Sequence, residues 1–273
     1  MTFKKLIKNR LALAGLIGLA LILLLAIFGP FLIPYSPTGQ QFAQLKPPSL
    51  KHFMGTDDLG RDITSRVLYG SRLSLSIGFS AIAIALIIGL IAGSISGYAG
   101  GLTDTFIMRL VDIFLAFPYV LGAIALMVVM GSGFLNVVIA IAAFMWASFA
   151  RLHRANVLGI KEAEFIQAAK LSGASNFYII TRHILPNTMG PLVVYASISV
   201  GIAILGEAVL SFISIGLQPP TPSLGLMLSG ALQYVETAPW LMLFPGLFLF
   251  LIVLCFVLIG EGLRDALDPK EYA

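Results

Sequence analysis

Few residues in this sequence could carry ionic, acid–base or metal chemistry inside an apolar environment, so each is worth placing. Glu207 is the only formal charge between about Pro191 and Ile215. A charge at membrane depth costs at least ~2.5 kcal/mol on insertion scales, so this side chain is expected to face a helix bundle or a cavity, or to be protonated. Two roles stay open for it: a hydrogen bond to a neighbouring helix, or lining a path through the bundle. Arg109 and Asp112 stand three residues apart. On a helix they would share one face and can pair, as a structural link or as a lock on one conformation. Asp57, Asp58, Arg61 and Asp62 crowd the segment GTDDLGRD. They either shape the outer mouth of a bundle or belong to a plain connector.

Other chemistry is excluded. His52, His153 and His183 are the only histidines and fall outside the apolar stretches, where a membrane haem would need its axial ligands. No Cys/His cluster has metal-ligand spacing, so no metal site is expected. There is no G-x-x-x-x-G-K-[ST] phosphate loop, so this chain is not expected to bind ATP itself or to be an enzyme. The glycines of GSISGYAGG and of Gly131-Ser132-Gly133 lack the strand-then-helix setting of a phosphate cradle and are expected to let helices turn or pack closely. Cys255 is the single cysteine and sits in an apolar run, which rules out a disulfide framework.

The elements that must hold these residues follow from composition. Of 273 residues, 58% are hydrophobic and 11% charged, against about 25% charged in soluble domains. Too little polar surface is available for water, so lipid must solvate much of the chain. The net charge of +4 comes from basic residues flanking apolar runs, which argues for membrane flanks rather than nucleic acid. A span needs about 20 apolar residues. Six stretches qualify: Leu11–Leu32, about Leu73–Tyr98, Phe106–Met130, Phe134–Ala150, Pro191–Ile215 and Ala238–Gly260. The first has no small-residue cleavage site at its end and reads as a retained anchor. An all-α membrane protein of six transmembrane helices is expected.

Six spans put the two chain ends and the loop after span four on one side. That side carries Lys4, Lys5, Lys8, Arg10, Arg109, Arg151, Arg154, Lys161, Lys170, Arg182, Arg264 and Lys270, twelve of the 17 basic residues. The other side holds Lys46, Lys51, Arg61, Arg66 and Arg72. Both termini are therefore expected to be cytoplasmic. Residues 153–188 form the longest cytoplasmic connection. AEFIQAAKLSGAS reads as a short helix with Gly173 as its C-terminal cap, since glycine takes the left-handed conformation without strain. Ser175 can cap a second short helix that Pro186 is expected to stop. Ala168 and Ala169 give the first helix a flat face. It either rests on the membrane and its own bundle or docks a cytoplasmic partner.

These residues carry a resemblance. Gln167-Ala168-Ala169, Gly173 four residues on, Ala174, and His183-Ile184-Leu185-Pro186 resemble the EAA loop of permease subunits from bacterial ABC importers, with Gln167 in place of the glutamate and His183 in place of an isoleucine. GTDDLGRDITSRVLYGSRLSL, LSFISIGLQPPTPSLGLML and GEGLRDALDP resemble the C-type subunit of the dipeptide, oligopeptide and nickel importers, in order along essentially the whole chain. The resemblance implies a type I importer permease fold in a bacterial or archaeal cytoplasmic membrane. It implies a division into 1–70 (tail, first span and external loop), 71–262 (the five-helix transmembrane domain with the coupling loop 153–188) and a tail 263–273. It also implies partners: a homologous second permease subunit, two cytoplasmic ATPase subunits that bind the ATP and Mg, an extracytoplasmic solute-binding protein, and membrane lipid. The cargo implied is a di- or oligopeptide, with nickel or a metallophore complex as the alternative. A secondary transporter with ion-coupled carboxylates and inverted repeats fits poorly, since one buried carboxylate is available and no repeat is evident.

Overall fold

The computed structural model describes residues 9–267; Lys4, Lys5, Lys8 and Lys270 lie outside them. Among the described residues there is no strand, only one isolated bridge between Thr56 and Asp62. The helices in chain order are α1 (Arg10–Leu32), α2 (Ile63–Ala99), α3 (Gly101–Leu115), α4 (Tyr119–Met130), α5 (Phe134–Ile160), α6 (Glu164–Leu171), α7 (Asn176–Ile179), α8 (Leu185–Phe212), α9 (Leu224–Ala231) and α10 (Trp240–Leu267). Five units are long and apolar enough to span: α1, α2, α5, the run Asn176–Phe212 and α10. The pair α3–α4 makes a sixth if its two arms count as one span. Asn9 caps α1 through its own Oδ1 and donates from Nδ2 to Asp265 Oδ2 at 2.8 Å, so both described chain ends meet at one end of the bundle, the proximal end.

Close packing comes from glycine rather than from large side chains. Gly89, Gly93 and Gly97 repeat every fourth residue of α2 and face α5. A Cβ at Gly89 would stand 2.3 Å from Phe149 Cβ, and one at Gly93 2.7 Å from the Ala150 carbonyl. Where lipid removes the hydrophobic drive between helices, such small-residue stripes supply the contact area. The glycine-rich run is thus a packing surface, as its sequence setting suggested.

Four expectations need correction. Helix α2 begins at Ile63, ten residues before the expected start, because Asp62 accepts from Ser65 N at 2.8 Å and caps it there. The third span is broken, with α3 and α4 meeting at 85°. Pro118 lies at the break, where a proline disfavours helical backbone for the residue before it. Helix α5 runs on to Ile160, so Arg151, His153 and Arg154 are helical and not in a loop. Pro186 does not stop a helix either: a π-helical turn over Ile180–Ile184 joins α7 to α8. The wider turn changes the hydrogen-bond register just before the proline, and the Asn187 amide donates to the His183 carbonyl at 2.7 Å. The short helix α9 at the distal end was not anticipated.

Candidate functional site

At the proximal end, α6 closes with a Schellman motif. Gly173 takes φ +78, its N–H donates to the Lys170 carbonyl at 3.0 Å, and Ala174 N–H donates to the Ala169 carbonyl at 3.1 Å. Ser175 then caps α7 by accepting from Tyr178 N at 3.3 Å. Ile166, Ile179, Ile184 and Val157 form a small buried core beneath, with Ala169 and Ala174 packed against it. Ala168 instead faces outward, so the two alanines divide between core and surface rather than forming one flat face. Gln167 donates to Glu162 Oε2 at 2.6 Å. Leu171 is 90% exposed and Phe177 77% exposed. The segment is ordered by its own hydrogen bonds yet leaves large apolar side chains uncovered.

Glu207 on α8 is fully buried and fully partnered. Ser74 on α2 donates to Oε2 at 2.6 Å, while Ser211 and Ser223 donate to Oε1 at 2.8 and 2.9 Å. Ser211 Oγ also accepts from Leu217 N at 3.1 Å. One carboxylate therefore ties α2, α8 and the residue that precedes α9. It lies in the bundle interior with no carboxylate oxygen left unpartnered. Ser211 was legible as the residue one helical turn on; nothing in the sequence pointed to Ser74 or Ser223, which arrive from other elements.

The distal loop is a folded cap. Asp57 Oδ1 accepts from Leu59 N and Arg61 N at 3.0 and 2.9 Å, and its Oδ2 takes Arg61 Nε at 2.6 Å with Arg66 Nε at 3.5 Å. Asp62 meets His52 Nδ1 at 2.8 Å in addition to capping α2. Asp58 stays half-buried, 3.7 Å from Arg61 Nη2. Gly60 has φ +71, and a Cβ there would lie 2.1 Å from the Phe42 carbonyl, so only glycine lets the turn close on the preceding strand of chain. Asp57 and Asp62 are thus spent on the loop's own turns and the first turn of α2, and Asp58 is the more open carboxylate.

Arg109 and Asp112 do not pair with each other. Asp112 takes Arg151 Nη2 from α5 at 2.6 Å. About two turns towards the start of α3, Asp104 takes both Nε and Nη2 of Arg154 at 2.5 Å, and Ser96 Oγ as well. Both carboxylates of α3 thus take guanidinium partners from α5, across the helix crossing, and not from the i,i+3 neighbour. Arg109 is exposed and makes no ion pair among the described residues.

A bundle of apolar helices with a broken span, a sealed interior carboxylate and an ordered, apolar-tipped segment at the end bearing its termini is the architecture of a multi-pass membrane permease. The chain belongs to the family of binding-protein-dependent transport system inner membrane components, whose profile matches residues 85–271; the N-terminal TM domain of oligopeptide transport permease C matches residues 1–48. It is 47% identical over 274 residues to the dipeptide transport system permease protein DppC of Alkalihalophilus pseudofirmus, covering 98% of this chain and 88% of that one. The di/tripeptide permease DppC of Pseudomonas aeruginosa is 43% identical, with 96% and 89% covered. The glutathione transport permease GsiD of Escherichia coli is also 43% identical, with 96% and 88% covered. A chain of the MetNI methionine ABC transporter, solved in inward-facing conformations, superposes with TM-score 0.61 at 18% identity over 76% of this chain and 98% of that one. The fold is that of a type I importer permease.

Proposed function

We propose that this chain is the C-type permease subunit of an ATP-driven importer of di- and oligopeptides, forming half of the translocation path with a homologous companion. Support for the cargo comes from relatives named for dipeptide, di/tripeptide and glutathione transport that align over nearly the whole chain. The proximal end faces the cytoplasm, in keeping with twelve of 17 basic residues on that side. Two ATPase subunits there bind ATP and Mg, and a solute-binding protein delivers peptide to the opposite face.

The observation that carries the mechanism is the closed segment Glu164–Ile179 with Leu171 and Phe177 uncovered. Exposed apolar groups on a self-satisfied scaffold fit a partner surface better than water. Closure of an ATPase dimer moves this segment, and the unbroken run Asn176–Phe212 transmits the movement to the bundle. Ligands shift such an equilibrium only through different affinities for its two states, and here ATP supplies the difference through the partner.

The test is uptake into proteoliposomes holding this chain, its companion, the ATPases and the binding protein, with labelled peptides compared with chelated nickel. ATP-dependent peptide uptake is the expected result. Nickel uptake alone would overturn the cargo, and uptake on an ion gradient without ATPases would overturn the class. Gly173→Glu should abolish peptide-stimulated ATP hydrolysis while the complex still assembles in the membrane, because a side chain at φ +78 breaks the Schellman closure.

A further inference from the structure

Between α3 and α5 lies an open polar cleft of about 510 Å³, lined by Asp104, Met108, Arg109, Asp112, Arg151 and Arg154 among others. Arg151 directly follows the apolar stretch Phe134–Ala150 of α5, so the Asp112–Arg151 pair stands at the proximal edge of the apolar layer. The two side chains are 51% and 55% exposed. An open ion pair in acyl chains would forgo its hydration without replacement. That face therefore meets water or protein, not lipid.

We infer that this cleft is the water-filled inner vestibule of the path and that it holds the two termini of a zwitterionic peptide, with the carboxylate on Arg109 and the ammonium beside Asp112. The cleft's charges are three guanidiniums against two carboxylates. Asp104 is saturated by Arg154 and Ser96, whereas Arg151 holds only Oδ1 of Asp112. Oδ2 of Asp112 and the whole guanidinium of Arg109 remain for a ligand. They project from one helix face one turn apart, and the flexible arginine spans the remaining distance to the ~7 Å between the ends of an extended dipeptide. This inference rests on the peptide-importer reading and adds to it where within the membrane the peptide is met.

The experiment uses the full complex, nucleotide-free, in inside-out vesicles. Met108→Cys is introduced with Cys255→Ser, and the rate of modification by a charged, membrane-impermeant thiosulfonate is followed. Modification is expected, and a free dipeptide should slow it about tenfold, as loss or gain of one charge-assisted contact does. The same dipeptide carrying a C-terminal amide should not slow it. Adding Arg109→Ala should remove the protection, and Arg109→Lys should retain it. Absence of modification would show the cleft covered by the companion subunit or lipid. Equal protection by free and amidated peptide, or protection that survives Arg109→Ala, would take Arg109 out of contact; each overturns the inference. ATP-driven uptake by the unaltered complex is measured in parallel, so failure of the importer reading shows there and is not confused with failure of the cleft.

Discussion

Glu207 and the Asp112–Arg151 pair are both formal charges carried by the long helices of the bundle, yet their surroundings are opposite. Glu207 is fully buried and accepts from three serine hydroxyls belonging to three elements. Asp112 and Arg151 are about half exposed and bordered by a cleft. The contrast separates two uses of a costly residue. A carboxylate whose oxygens are all taken has nothing left to offer a passing solute, and its loss damages the bundle. A pair left open at the proximal edge of the apolar layer is tolerable only where water reaches it, and its loss should alter what passes.

The sharpest way to break that contrast is Glu207→Ala. It leaves Ser74, Ser211 and Ser223 without their shared acceptor in a dry interior, and we expect a loss of about 2–4 kcal/mol, seen as a fall of several degrees in the thermal inactivation midpoint of the detergent-solubilised complex. An unchanged midpoint would mean that the interior carboxylate is not structural. Ser74→Ala should cost less, about 1 kcal/mol, since two donors remain on the carboxylate. Arg151→Ala should shift the midpoint least, by no more than the ~1 kcal/mol of an exposed pair. Raising the salt concentration should then narrow the difference between Arg151→Ala and the parent chain while leaving that of Ser74→Ala unchanged, because only the open pair is screened. A midpoint for Arg151→Ala as low as that for Glu207→Ala would erase the distinction.

Much of the architecture was legible from the chain. Apolar runs of the right length named the spans, the spacing Gly173–Ser175 named the turn after α6, and lone Glu207 named an interior site. What escaped was set by contacts between distant segments. Asp112 has an arginine three residues away, yet the favoured partner comes from a helix 39 residues on. Serines are too common in this sequence for Ser74 or Ser223 to signal a carboxylate partner. Boundaries failed where a cap or a register change decided them: Asp62 extends α2 backwards, and the π-turn carries the chain through Pro186. Periodicity reports which face is apolar, not which hydrogen bond continues at a proline.

The run Asn176–Phe212 spans 37 residues, about 55 Å of rod. Its far part is pinned by the serine cluster at Glu207, 31 residues from the first turn. A rod held at that point behaves as a lever: a rotation of about 5° at the pin sweeps the opposite tip through about 4 Å, on 1.5 Å of rise per residue. A partner that moved the segment bearing Phe177 in wide, gentle strokes would thus deliver small, forceful twists at the carboxylate, and the tightness of that pin would set how much of each stroke reached the bundle.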